Sequence, residues 1–196
     1  ALPGLVGLIL LGITWLATYG YGFEILRRSA HGNPAPPENI GELLDAGVLR
    51  LIALMALCLA AVMACAWLLG PFAALALAGL LLVLHPVWLI SLALDGSLRQ
   101  ALNPATAVFT LGRIAGPYAV ALLLIGALQA AALMLFGLAH GGLPAALAWP
   151  LSTFGYASAL AASFRLLGVM VHSYRQVLGF EAQEDPSEQR LPSPSE

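Results

Sequence analysis

The stretch Leu49–Leu94, LRLIALMALCLAAVMACAWLLGPFAALALAGLLLVLHPVWLISLAL, decides the fold. Arg50 near its start is its single charged residue, and Gly70-Pro71 is the only turn signal within it. A helix needs roughly 20 apolar residues to cross a hydrocarbon core of about 30 Å. The stretch therefore reads as two membrane spans, 49–69 and 72–94, joined by a tight turn.

Working outward, three more stretches are long and apolar enough: 3–23, 116–138 and 147–173. Between the spans lie a polar loop at 24–48, a semi-polar segment at 95–115 and a short loop at Ala139–Pro144. The expected fold is an all-α, polytopic transmembrane helix bundle of five spans over residues 1–175. An acidic tail at 176–196 follows, with Glu181, Glu184, Asp185 and Glu188 among prolines and serines, and it is expected to stay disordered. The chain opens at Ala1 without a methionine, so a cleaved signal peptide or, by preference, a sixth helix upstream is expected.

Composition agrees with a lipid setting. Of the 196 residues, 60% are hydrophobic and 9% charged, against about 25% charged in soluble domains. The few charges form no basic stripe, which excludes nucleic acid as a partner.

All eight basic residues are arginines. Arg27, Arg28 and Arg50 flank the first long loop, Arg99 and Arg113 lie in the second, and Arg165, Arg175 and Arg190 come at or after the end of the last span. Cationic residues near span ends are retained in the cytoplasm. The long loops and the C-terminus are therefore expected inside a bacterial inner membrane, and the two short turns outside.

The two long loops resemble each other. One reads NPAPPENIGELLDAG at 33–47 and the other LNPATAVFTLGRIAG at 102–116. Asn39 with Glu42 has capping-box spacing, and Asn103 precedes a proline suited to a first helical turn. Each loop is expected to form a short interfacial helix, with Leu43, Leu44 and Val48 or Val108, Phe109 and Leu111 on it, before Gly47 or Gly116 bends the chain into the membrane. The competing reading makes each the first turn of a longer span.

The run GYGFEILRRSAHGNPAPPENIGELLDAG at 20–47 resembles an uncharacterised prokaryotic membrane family classed as a domain of unknown function. The shared features are a Gly-Tyr at a span end, an Arg pair, a Gly-x-x-x-Pro-Pro loop and an amphipathic stretch before the next span. The likeness extends over about residues 19–60, with looser echoes at 103–116 and in the tail YRQVLGFE. It implies a bacterial membrane setting and nothing chemical, and no functional site is carried over from it.

Ionisable and polar groups inside spans are costly and become candidates for function. Arg165 lies about 12 Å from the end of the last helix, within reach of snorkelling. Otherwise it anchors a partner's carboxylate or an anionic lipid headgroup, with His172 on its face. His85 precedes Pro86, which should kink the third span and free a carbonyl one turn earlier. Its simplest role is a satisfied interior group, with a proton relay or a haem ligand as alternatives. Haem b needs a facing histidine, which His31, His140 and His172 do not obviously supply. Asp95, an interfacial cap, is the acid nearest to meeting Arg165, and Gln129 is expected to hydrogen-bond across helices.

Cys58 and Cys65 share a helical face about 10 Å apart, too far to bridge, and read as free thiols. No metal, nucleophile or phosphate-cradling motif is present in the sequence, so no catalytic residue and no cofactor is expected. Small residues four apart allow close helix approach in lipid. Two stripes have that spacing: Ala56, Ala60 and Ala64, and Gly155, Ala159 and Ser163. An alanine-rich sequence also yields such stripes by chance.

The leading functional expectation is a non-enzymatic membrane subunit that packs against and positions a larger membrane complex. The alternative is a small transporter or lipid-handling protein using Arg165, His85, Gln129 and Asp95 as a polar belt, and a second alternative is a haem b electron-transfer subunit.

Overall fold

The computed structural model describes residues 2–33, 46–95 and 97–178, with side chains at 12–33, 47–94 and 97–178. Among the described residues every element is helical: α1 (Leu2–Ala30), α2 (Ala46–Leu69), α3 (Pro71–Asp95), α4 (Leu98–Ala101), α5 (Pro104–Gly142), α6 (Ala145–Ser173) and α7 (Arg175–Leu178). Among the described residues four segments are long and apolar enough to cross a membrane: Gly47–Leu69, Pro71–Leu94, Pro104–Gly142 and Ala145–Ser173. The further span expected at 3–23 falls within α1, whose side chains before Gly12 lie outside the described residues.

The two hairpins form where turn chemistry permits. Gly70 adopts φ +91, a left-handed conformation that costs glycine little, and its N–H closes α2 onto the Ala66 carbonyl at 3.1 Å. Pro71 then opens α3, where an absent N–H is harmless. The second hairpin is tighter than expected at 139–144, because α5 continues through Gly142. Leu143 and Pro144 turn extended, and the Pro144 carbonyl accepts the first bonds of α6 from Leu147 and Ala148.

Residues 24–30, read as loop, are the last two turns of α1. Glu24 pairs with Arg27 and Arg28 at 3.0 Å each, three and four residues on. In this order such pairs favour helix, so the charges extend α1 instead of ending it.

The helix expected after Asn103 forms the first part of α5, set off from the remainder by a break. Asn103 caps it, its Oδ1 accepting the Ala105 N–H at 3.0 Å. At 39 residues, α5 would measure about 58 Å if straight, far beyond a bilayer core. It breaks at Ile114 (φ −125, ψ 28), two residues before the bend expected at Gly116. Pro117 is the cause: it has no N–H for the Arg113 carbonyl, and its ring crowds that oxygen. The helix expected from Asn39 lies outside the described residues, as does Arg190.

Pro86 has a milder effect. α3 remains one helix through it, and the Tyr118 hydroxyl from α5 donates to the carbonyl of Val83, in the turn that the proline disturbs.

Helices α1 and α6 lie side by side and parallel. Gly22 faces Phe164, Gly168 faces Leu26 and Ser29, and Gly32 faces His172. The contact is backbone-close at Gly168, where an added Cβ would fall 2.8 Å from the Leu26 carbonyl oxygen. Gly32 is held both by φ +84 and by the His172 ring above it.

These contacts bring the arginine-bearing ends together. Gly47 at the start of α2 packs under Phe23 of α1, α4 packs against α3 and α5, and Arg113 Nη1 on α5 donates to the Val177 carbonyl in α7 at 2.6 Å. The Arg113 guanidinium also sits 4.0 Å over the Phe109 ring. Leu178, at the end of α7, is buried.

The core concentrates toward this end, with Leu26, Leu51, Val87, Ile90, Leu92, Ile114 and Val171 fully buried. The far halves of α2 and α3 expose Trp67, Leu69, Phe72 and Leu75. Lipid tails are as apolar as leucine, so that exposure carries little penalty in a bilayer.

Candidate functional site

Helices α1, α3, α5 and α6 enclose a cavity of about 510 Å³, within the range of small-molecule sites. Its walls are mainly apolar, from Leu89 on α3, Leu122 and Ile125 on α5, and Leu160, Phe164 and Leu167 on α6. Five polar side chains join them: Tyr19, His85, Gln129, Tyr156 and Ser163. None of the described lining residues carries a carboxylate, an ammonium or a guanidinium. Leu82, Val83, Gly126 and Tyr156 are wall residues that are also exposed, so the cavity opens on the surface that these helices turn outward.

Each polar wall residue has a local reason for its place. Ser163 is buried in α6 and returns its hydroxyl to the Ala159 carbonyl at 2.7 Å, a bond that satisfies a serine inside a helix. Its oxygen then accepts from Gln129 Nε2 at 3.3 Å, giving the cross-helix contact expected of Gln129. Tyr19 meets Tyr156 through their side chains and packs edge-on to Phe164, ring centres 5.9 Å apart.

His85 differs. The structure brings it to the cavity wall, but its Nε2 is buried and has no hydrogen-bond partner. The satisfied interior group expected from the sequence is therefore not found at this nitrogen, because the hydroxyl serving the proline-disturbed turn comes from Tyr118 and goes to a backbone oxygen. A buried polar atom left without a partner costs about 1–3 kcal/mol. No second histidine lines the cavity.

The other sequence candidates fall elsewhere. Arg165 is on the exposed side of α6 and does not line the cavity. His172, two turns further along, leans over Gly32 at the arginine-bearing end with its Nδ1 buried and unpartnered. Arg165 and His172 thus do not join His85 and Gln129 in one belt. Asp95 ends α3, and its side chain lies outside the described residues. His140 belongs to the opposite end, where it stacks on Phe136 at 4.1 Å and meets Trp149 edge-on.

The two small-residue stripes separate. Gly155, Ala159 and Ser163 lie against α5, with Leu135 occupying the space a Cβ on Gly155 would need. Ala56, Ala60 and Ala64 are all exposed on α2. Cys58 and Cys65 are free and half-buried.

Sequence reasoning missed Glu24, which is 4% exposed and clasped by two arginines; the i, i+3, i+4 pattern of Glu24, Arg27 and Arg28 was its signal. It also missed Tyr19 and Tyr156, to which it assigned no role. Nothing in their local sequence indicates that they meet, because the pairing exists only through the parallel packing of α1 on α6.

No curated protein and no solved structure matches the chain. One family does: a family described as a protein of unknown function (DUF4013) matches residues 4–142, from α1 to the end of α5, and the chain belongs to it.

Proposed function

We propose that this protein is an integral membrane protein that binds a small lipophilic molecule inside its helix bundle. The observation that carries this reading is the cavity of about 510 Å³ with an apolar wall, five polar side chains and an outward opening. Apolar pockets with a few convergent polar groups are the usual form of a ligand site. The reading is non-enzymatic, and it is the lipid-handling alternative with His85 and Gln129 kept and Arg165 removed from the site.

The topology that goes with it has five spans, α1 included. The gathered arginines and the C-terminus face the cytoplasm of a prokaryotic cell, following the retention of cationic residues there. An anionic lipid headgroup at Arg165 fits the same arrangement, on the outer surface of α6 and apart from the cavity.

The test is to purify the full chain from its own membranes in mild detergent and analyse the lipids that travel with it. A lipophilic species enriched over bulk membrane, and depleted in a Gly126→Leu variant that narrows the opening, supports the reading. Equal lipid content in both overturns it.

A second reading, a subunit of a larger membrane complex, is favoured by the exposed Ala56, Ala60 and Ala64 stripe. Such a stripe suits close helix approach by a partner. Site-specific cross-linking from position 60 in intact membranes distinguishes the two: a discrete protein adduct favours the subunit, and lipid adducts alone count against it.

A further inference from the structure

Resting on the reading of the cavity as a ligand site, we infer that its ligand is an uncharged single-chain amphiphile, held by one hydroxyl at the His85 imidazole. Three observations converge on this class. The described lining residues hold no carboxylate, ammonium or guanidinium to neutralise a charged head, and Arg165 is on the exposed side of α6. A phosphate, carboxylate or ammonium would be desolvated there without a counter-charge. The two wall residues Gln129 and Ser163 already bond to each other across α5 and α6, whereas His85 Nε2 has no partner from the protein.

A neutral imidazole offers one accepting and one donating nitrogen, and a hydroxyl matches either. The nitrogen is covered by its surroundings, so the ring turns about its Cβ–Cγ bond, a soft torsion, as the hydroxyl arrives. Leu89, Ile125 and Leu160 then receive the aliphatic chain. Gly126 is exposed at the wall, with open space where a side chain would start, which leaves the opening clear for a chain entering from the bilayer.

The experiment uses the full chain in phosphatidylcholine vesicles and a diazirine-bearing hexadecanol as photolabel, with adducts mapped by mass analysis. Hexadecanol, hexadecane and hexadecyl phosphate serve as competitors. Labelling is expected on the α3, α5 and α6 walls, at least fivefold weaker in Gly126→Leu, with hexadecanol competing at concentrations at least tenfold below the other two.

His85→Leu is expected to erase that tenfold preference while wall labelling persists, and His85→Gln to restore part of it. If hexadecane competes as well as hexadecanol, if hexadecyl phosphate competes best, or if His85→Leu keeps the preference, head recognition by His85 is wrong and the cavity remains a lipid site. If the walls of the unaltered protein label no more than those of Gly126→Leu, the cavity reading itself fails.

Discussion

The two helical hairpins carry small residues at the same four-residue spacing and use them in opposite ways. In α5–α6, Gly155 accepts Leu135, Ala159 is buried and Ser163 bonds to Gln129. In α2–α3, Ala56, Ala60 and Ala64 face outward, and α2 is held to the rest of the bundle at its beginning, by Val48, Leu51 and Leu54. Spacing alone does not make an interface. The α5–α6 seam closes because the facing helix supplies a branched side chain over the glycine and an amide that reaches the serine.

That contrast can be broken or sharpened by substitution. The largest effect is expected at Gly168, where a valine would meet the backbone of α1 and could be accommodated only by separating α1 from α6. A loss of about 3 kcal/mol or more, read as unfolding in mixed micelles, is expected, and an unchanged midpoint would mean the close approach is not essential. Gly155→Val meets only the far end of Leu135, which can turn aside, so about 1–2 kcal/mol is expected in the same assay. Gln129→Leu removes the cross-helix bond at roughly 0.6 kcal/mol, and a loss several times larger would point to further partners of the amide. Ala60→Leu should leave the stability of the purified chain unchanged within about 0.5 kcal/mol; destabilisation of the isolated chain would mean that the stripe packs within it.

How far the sequence discloses the molecule depends on the range of the signal. Apolar runs, the Gly70-Pro71 turn and the Asn103 cap are local, and the structure has α2, α3, α6 and both hairpins at or near the expected places. Local signals misjudged the end of α1, where Glu24, Arg27 and Arg28 look like loop by polarity and are helix by spacing. They also misplaced the break in α5, which precedes Pro117 because a proline disturbs the turn behind it. Of the site, the sequence disclosed His85 and Gln129 by the rarity of polar groups in spans. It could not disclose that Arg165 turns away from them, because rotation of α6 is set by Gly168 meeting α1. Nor could it show a cavity, which depends on four helices at once.

Arg113 reaches the Val177 carbonyl from the residue immediately before the break in α5. The first ten residues of that helix are therefore tied to the last described turn of the chain, and cannot swing about Ile114 unless α7 moves with them or lets go. A pull on the C-terminal extension would thus be felt at a joint in the helix that forms one wall of the cavity, making the two distant in sequence but mechanically adjacent.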